Sequence, residues 1–546
     1  MRLFFFLFSI TPSPPMDHKD WVKAPNMGRK DFWYNSLGEV KKEVDANSNT
    51  LTYSYDELGR MTERKTNGVR SGYWYYDNGD TENYRGLLRW EYNVPTDGDR
   101  LIKFHYYGKT SSGKLHSTQT KYRVFEDGVP TDYDTLYYID NNYGRPKGMK
   151  YNTTGLSLAY EYNDHGYMTK LKNVATGYVC QSIEDMDAFG NVTSQKTTNG
   201  LMTQTAAYHA ATGQMTAITS SMTQGAAIRH ELSYSYDGFS NLDSQVVTTS
   251  NGAQHEENYQ YDLLHRLTTS QRCYAGSCPA SDTISYNYDA VGNMTLKSDH
   301  ATSYNYGNTA RSTRNAGPNA VHSITKADGS GYINYTYDLN GNLTSANSYN
   351  TSWVLDSAKS KSISYNEFNK PLTIQQGGTI SSFSYGADLM RYKQIKTTGN
   401  TTETTYYLDK AMEKVETKVN DVVTKTEYRH YIGDVAVVTK EEASSQTEWK
   451  IGFTHRDRLG SVVTVTDGLG NVQEHRSYDP FGKPRKGDLK TPTSSTLLAS
   501  IQEDPHGGSE LITPRGFTDH EHLDDFELIH MNGRAYDYNL GKVLEC

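Results

Sequence analysis

Ile284-Ser285-Tyr286-Asn287-Tyr288-Asp289-Ala290-Val291-Gly292-Asn293-Met294-Thr295 decides the fold class. Its opening residues alternate, so Ile284, Tyr286 and Tyr288 fall on one face of a strand and Ser285 and Asn287 on the other. Asp289 is placed to accept turn amide hydrogens, and Gly292, three residues on, suits a type I turn with a left-handed exit. A second alternating strand follows the turn. The unit is a β-hairpin with one aromatic face.

The same unit recurs along the chain. Clear copies are Tyr55-Asp56-Glu57-Leu58-Gly59 within 51–62 and Tyr337-Asp338-Leu339-Asn340-Gly341 within 333–344. Weaker copies begin at Tyr34, Tyr162, Tyr236, Tyr261 and Tyr365, and their degeneracy falls mainly on the turn glycine. Clear neighbours stand about 20–28 residues apart, enough for two short strands and two connections. A lone hairpin is marginal in water, so the units must pair edge to edge. A long twisted sheet must then curl or close to protect its edges. The expected fold is all-β: a spiralling array of antiparallel hairpins forming an incomplete hollow cocoon.

Composition agrees with a wall rather than a solid core. Of 546 residues 35% are hydrophobic, mean hydropathy is −0.75, and charged residues at 22% are too few to suggest disorder. Such values suit thin walls wetted on both faces. Tyrosine, at 44 copies against 15 Phe and 6 Trp, can cover a sheet and still touch water. The formal charge of −9 repels phosphate and disfavours nucleic-acid binding. No transmembrane segment is expected, because the one strongly apolar run, residues 1–10, is shorter than the roughly 20 residues a span requires.

Residues 1–30 read as an N-terminal leader or an arbitrary start, a stretch that can remain disordered. Residues 31–450 read as the repeat shell. Two parts of it depart from the pattern, Asn93 to Pro130 and Ala206 to Ala227, and each is an insertion or degenerate hairpins. Lys486 to Ser509 is a Thr/Ser/Pro/Gly-rich loop or linker before the last folded piece. Four cysteines cannot sustain a disulfide scaffold of this length. Cys273 and Cys278 flank a turn-like Tyr-Ala-Gly-Ser, leaving a hairpin-closing disulfide and two free thiols both open.

The stretch 451–546 carries four ordered motifs. They are His455-Arg456-Asp457-Arg458-Leu459-Gly460-Ser461-Val462, Tyr478-Asp479-Pro480-Phe481-Gly482-Lys483-Pro484-Arg485, Arg515-Gly516-Phe517-Thr518-Asp519-His520-Glu521-His522-Leu523-Asp524, and His530-Met531-Asn532-Gly533-Arg534-Ala535-Tyr536-Asp537. With the upstream Tyr-Asp repeats, this set resembles the Rhs/YD-repeat proteins and their Rhs-repeat-associated core. The resemblance implies a shell around or carrying a C-terminal toxin or effector polypeptide, secreted or held at a cell surface. It extends to the similar shells of animal teneurins, which serve adhesion.

In such proteins the core runs on through a Gly-Arg-aromatic step into Asp-Pro-x-Gly motifs whose aspartates, with the arginine, perform self-cleavage. Here Gly541-Lys542-Val543 occupies that step with Lys in place of Arg, and no carboxylate pair follows it. The expectation is a non-enzymatic scaffold, with an effector or partner shell segments as partners. The rival expectation is a surface or glycan-binding adhesin.

The candidate structural positions are the turn residues Tyr55, Asp56, Gly59, Tyr288, Asp289, Gly292, Tyr337, Asp338, Gly341, Tyr478, Asp479, Gly482, Tyr536 and Asp537. Asp479 superficially mimics a catalytic aspartate, but its Tyr-Asp setting reads as another turn. The Asp338 turn resembles the start of a calcium loop, yet its glycine is at the fourth place rather than the sixth, so it too reads as a turn. No cofactor is expected. The densest potential chemistry is His520, His522 and His530 among carboxylates, a third and weaker reading as a metal-dependent enzyme. On a strand, His520 and His522 would share a face, with His530 approaching from the next strand. Structural pairing is the default for the cluster, since the spacing is not His-Glu-x-x-His.

Overall fold

The computed structural model describes residues 18–76, 86–94, 100–126, 128–225, 227–249, 252–307, 315–443, 446–491, 496–497 and 511–545. The expected leader run 1–10 and most of the expected linker lie outside the described residues. Strands Trp21–Lys23 and Arg29–Tyr34 already belong to the sheet, which therefore begins ahead of the boundary expected at residue 31.

Thirty-nine strands make one antiparallel sheet. Each strand pairs with its neighbours in sequence, from Trp21–Lys23 to Pro484–Lys486, so every connection is a simple reversal. Among the described residues the first and last strands do not pair with each other, and the sheet stays open. The ambiguous stretches prove to be degenerate hairpins, since Arg100–Lys109, Leu115–Glu126, Met202–Tyr208 and Met215–Met222 all lie in the ladder. No helix among the described residues is long and apolar enough to cross a membrane.

The sheet coils until it meets itself. The Gly28 amide donates to Leu339 O at 3.0 Å, Asn47 Nδ2 to Asp338 Oδ2 at 3.0 Å across 291 residues, and Asn93 Nδ2 to Tyr385 O at 2.9 Å. From Val40–Val44 to Gly331–Tyr337 the chain takes about 23 strand steps of ~4.8 Å, a perimeter of ~110 Å and a span of ~35 Å. Farther along the coil tightens, until Lys297 meets Asp479 across only 182 residues.

A separate four-stranded sheet, Glu521–Leu523, Leu528–His530, Ala535–Asp537 and Lys542–Val543, lies on the concave side. Its Leu523, Phe526, Leu528, Ala535, Leu540 and Leu544 are buried with Ile284, Tyr286, Tyr304, Tyr335 and Phe383 of the wall. Polar contacts run from the Tyr304 hydroxyl, which donates to Asn539 O, to the Tyr407 hydroxyl, which donates to Glu521. The wall strands involved, Thr283–Tyr288 to Thr401–Tyr407, would span ~50 Å if flat, and only a curved wall lets so small a unit touch them all.

This packing corrects the expectation of a wall wetted on both faces: where the small sheet seats, the tyrosine face is dry. Cys273 and Cys278 are joined by a disulfide, and Cys180 is buried.

The turns make a direct stability test. Gly292 has φ +90° with open space where a Cβ would stand, so Gly292→Ala is expected to cost about 1–2 kcal/mol through backbone strain alone. Ser240 holds the matching position at φ 70° and is exposed. Ser240→Gly is expected to stabilise by about 0.5–1 kcal/mol. Urea midpoints of the two variants, moving in opposite directions, check the pair.

Candidate functional site

Each repeat turn is built around one carboxylate. Asp56 Oδ1 accepts the amides of Leu58 and Arg60, both at 3.0 Å, while the Gly59 amide donates to Asp56 O. Asp289 repeats this with Val291 and Asn293, and Asp479 with Phe481 and Lys483. Asp338 accepts the Asn342 amide at 2.9 Å. Asp537 departs slightly, taking Asn539 and Leu540, with Gly541 rather than the preceding residue at positive φ. Gly59, Gly292, Gly341 and Gly482 all have φ between 74° and 97°. In Asp237 the Asn241 side chain and then the turn amides hold the carboxyl below its ordinary range.

Sequence reasoning treated the repeat tyrosines as cover, but in many of them the hydroxyl has a second task. Tyr55 donates to Val40 O at 2.8 Å, Tyr236 to Met215 O, Tyr261 to Leu242 O and Tyr306 to Met294 O. Tyr337 donates to Val321 O, Tyr365 to Leu343 O, Tyr385 to Pro371 O and Tyr478 to Val462 O. In every case the acceptor is the first residue of the preceding strand, which belongs to the previous hairpin.

The register explains the pattern. Between hairpins the ladder stops short of the turn: the last pair is Ser323 with Asn334, so Val321 and Tyr337 do not pair with each other across this junction, and likewise the ladder ends at Thr464 with His475, ahead of Val462 and Tyr478. The hydroxyl thus satisfies a carbonyl that has lost its ladder partner. The excess of Tyr over Phe was the available signal.

The turns also form the seam between successive coils. Asn340 Oδ1 accepts the amides of Ala46 and Asn47, and its Nδ2 donates to Asp45 at 2.7 Å. Phe368 lies under the Arg64 guanidinium at 4.3 Å, and Arg64 donates to Ala387 O. Asn340, Phe368 and Phe481 each hold the second position after the turn Asp or Asn, and Phe481 packs on Tyr286 at 5.3 Å. In the first coil the same position is open: Leu37, Leu58, Phe189, Phe239, Leu264 and Val291 are 67–79% exposed.

Asp479 is a buried ion-pair partner as well as a turn residue. Its Oδ2 receives Lys297 Nζ at 2.8 Å, and Lys297, wholly buried, also donates to Asp299 at 2.9 Å. Lys483 reaches Asp299 from the core side at 3.1 Å. Burial pushes the lysine toward neutrality, but Asp479 and then Asp299 outweigh it and hold Lys297 above its usual range. The arrangement locks the core turn to the wall.

His520, His522 and His530 are not brought together. Pairing sets Glu521 opposite His530 and His522 opposite Ile529, so His522 and His530 point to different faces. His520 precedes the strand, half-buried, with Nδ1 against Thr518 Oγ1 at 2.9 Å. His522 Nε2 accepts the Phe517 amide at 3.1 Å, and burial pushes its pKa down to about 3. His530 is stacked on Phe383. Among the described residues no group of three His, Cys, Asp or Glu is placed to hold a metal ion.

Residues 34–70 match the family model of the RHS repeat. No curated protein matches the sequence. Solved structures do: TcdB2-TccC3-TEV at TM-score 0.73 and 15% identity, covering 96% of this chain and 26% of that one. TcdB2-TccC3 without its hypervariable C-terminal region matches at 0.67 and 14%, with 96% and 26% covered. The Photorhabdus luminescens Tc holotoxin pore matches at 0.68 and 13%, with the same coverage. The chain therefore spans about a quarter of the length of the solved chains it matches. At these identities the likeness is one of fold.

Two substitutions separate the turn tyrosine from the ion pair. Tyr337→Phe keeps the ring but orphans Val321 O, at an expected cost of about 1–2 kcal/mol. Lys297→Met leaves Asp479 buried without its cation and is expected to cost about 3–5 kcal/mol. Equilibrium unfolding in urea at neutral pH measures both.

Proposed function

For a chain that is an RHS/YD-repeat protein, we propose a structural role: a section of a toxin-associated β-shell that encloses or carries an effector polypeptide. The repeat wall, expected over 31–450 and begun already at Trp21, supplies the enclosure, and the associated core over 451–546, whose first strands continue the same sheet, closes its narrowing end. Delivery of such cargo implies export from the producing cell. No step of this role is catalytic.

One observation carries the reading. The wall seats one coil on the next through its turns, and the first coil presents an equivalent rim, from Leu37 to Val291, left exposed among the described residues. A surface apolar strip of that kind is a contact surface, and partner shell segments are the occupants that match it. The span of ~35 Å, less side chains on both walls, leaves room for a polypeptide within the coil. Glu545 lies buried at the concave face, where Leu544 O accepts the Leu343 amide, so a polypeptide joined there would start inside.

Two measurements test the role. The purified chain is expected to self-associate with rising concentration in sedimentation velocity. Replacing Phe189, Phe239 and Leu264 by Asp is expected to yield monomer without loss of thermal stability; a monodisperse native chain would count against an unfinished wall. For carriage, a protease-site peptide joined after Cys546 is expected to be cut at least about tenfold more slowly than the same peptide ahead of Met1. Equal rates would overturn enclosure.

A further inference from the structure

The wall and the core meet at a buried histidine cluster that the shell role does not use. On the wall, Ser220 and His230 are paired neighbours on strands Met215–Met222 and Ile228–Tyr236. On the core, His455, Thr464 and His475 lie side by side on three paired strands. The two patches face each other. His455 Nδ1 contacts Ser220 Oγ at 2.9 Å and its Nε2 contacts Thr466 Oγ1 at 3.1 Å. Thr464 Oγ1 is shared by His475 Nδ1 at 2.7 Å and His230 Nδ1 at 3.1 Å. Ring centroids of His230 stand 6.3 Å from His455 and 6.1 Å from His475, and all three side chains are buried.

No ladder joins these wall strands to the core strands among the described residues, so side chains and single backbone contacts hold the seam. A single hydroxyl can serve two neutral imidazoles, donating to one and accepting from the other. Two imidazolium rings would both have to donate to it. Among the described residues His230 Nε2 has no hydrogen-bond partner, so an added proton there would be buried without an acceptor.

The surrounding charges are committed elsewhere. Glu474 and Arg476 flank His475 in sequence but pair with each other at 3.2 Å on the opposite face. Arg229 donates to Gly470 O, and Arg458 lies over the Tyr234 ring. Asp457 accepts the amides of Leu459 and Ser461, and Asp479 is held by Lys297. Glu231 alternates with His230 and so points to the other face of its strand. Beyond Lys486, Gly487 packs against the His475 ring, and Asp488 pairs with Lys490.

A fourth histidine repeats the arrangement elsewhere on the seam: His430 Nε2 meets Thr154 Oγ1 at 2.9 Å across 276 residues, its Nδ1 contacts Val438 O, and Lys440 is the cation nearby.

We infer that the histidine seam is an acid-sensitive latch, in which protonation unseats the core strands from the wall and opens the coil. Burial and then the neighbouring rings hold His230 well below its ordinary range, while burial and His475 bring His455 to about 4. Burial likewise takes His430 to about 4. An unseated histidine takes up its proton near pH 6.5, whereas seated His455 and His430 do so only near pH 4, so the closed form is favoured above 6.5 and loses ground as pH falls below it. The latch stands whether or not the shell carries cargo.

Hydrogen–deuterium exchange on the full chain at pH 7.5 and 4.5, corrected for intrinsic rates, tests it. Peptides from 215–236 and 446–478 are expected to lose protection by about tenfold or more at pH 4.5, while those from 321–385 keep theirs. The combined His230→Gln, His455→Gln and His475→Gln variant, which keeps hydrogen bonding but cannot titrate, is expected to remain closed at pH 4.5. Retained protection at the native seam, simultaneous loss everywhere, or opening of the Gln variant at the same pH would each overturn the latch. Should the triple variant fail to fold, the regional comparison in the native chain decides alone.

Discussion

At many of the hairpin-to-hairpin junctions a carbonyl has no ladder partner across the junction, and a tyrosine hydroxyl takes its place. Pairing within a hairpin is driven by its turn and runs to the bulge beside the tyrosine, whereas pairing between hairpins ends two or three residues earlier. Left alone, that gap would expose or orphan a backbone acceptor at each of those junctions. The Tyr-Asp pair resolves it from one place in sequence: the aspartate organises its own turn, and the tyrosine ties that turn to the previous hairpin. Phenylalanine would fill the same volume and leave the acceptor unmet.

Everything larger follows from chaining such units. Because each strand pairs only with its sequence neighbours, the sheet can coil without crossing connections, and its turns become the surface on which the next coil sits. The seam is polar where the chain first meets itself, through Asn47, Asn340 and Arg64. It becomes strongly charged where the coil tightens, through Lys297 with Asp479 and Arg485 with Glu257. Buried pairs of this kind add little net stability over an apolar packing but penalise any wrong register heavily. They suit a wall whose repeats are alike enough to slip.

The two halves of the structure divide the labour of a shell. The wall offers curvature and an open apolar rim, and the core offers a dry contact with the tyrosine face and a neutral histidine seam against the wall. In the RHS fold shared with the TcdB2-TccC3 structures, closure then rests on contacts between coils rather than on one continuous ladder.

The all-β class, the hairpin unit and the positions of its turns were legible in the residues, because alternation and the Asp-to-Gly spacing act over a few bonds. Degenerate copies such as 93–130 were not, since their ladders are imposed by neighbours already in place. The separation of His522 from His530 was equally hidden, because it depends on one residue of register in a short strand pair. By itself the sequence determined the repeating ribbon and its two-faced chemistry. Which coil meets which, which tyrosines become dry and which charges pair were decided only by the tertiary structure. The reason is that curvature sums small twists over dozens of strands, and the contacts it creates join residues some two to three hundred positions apart.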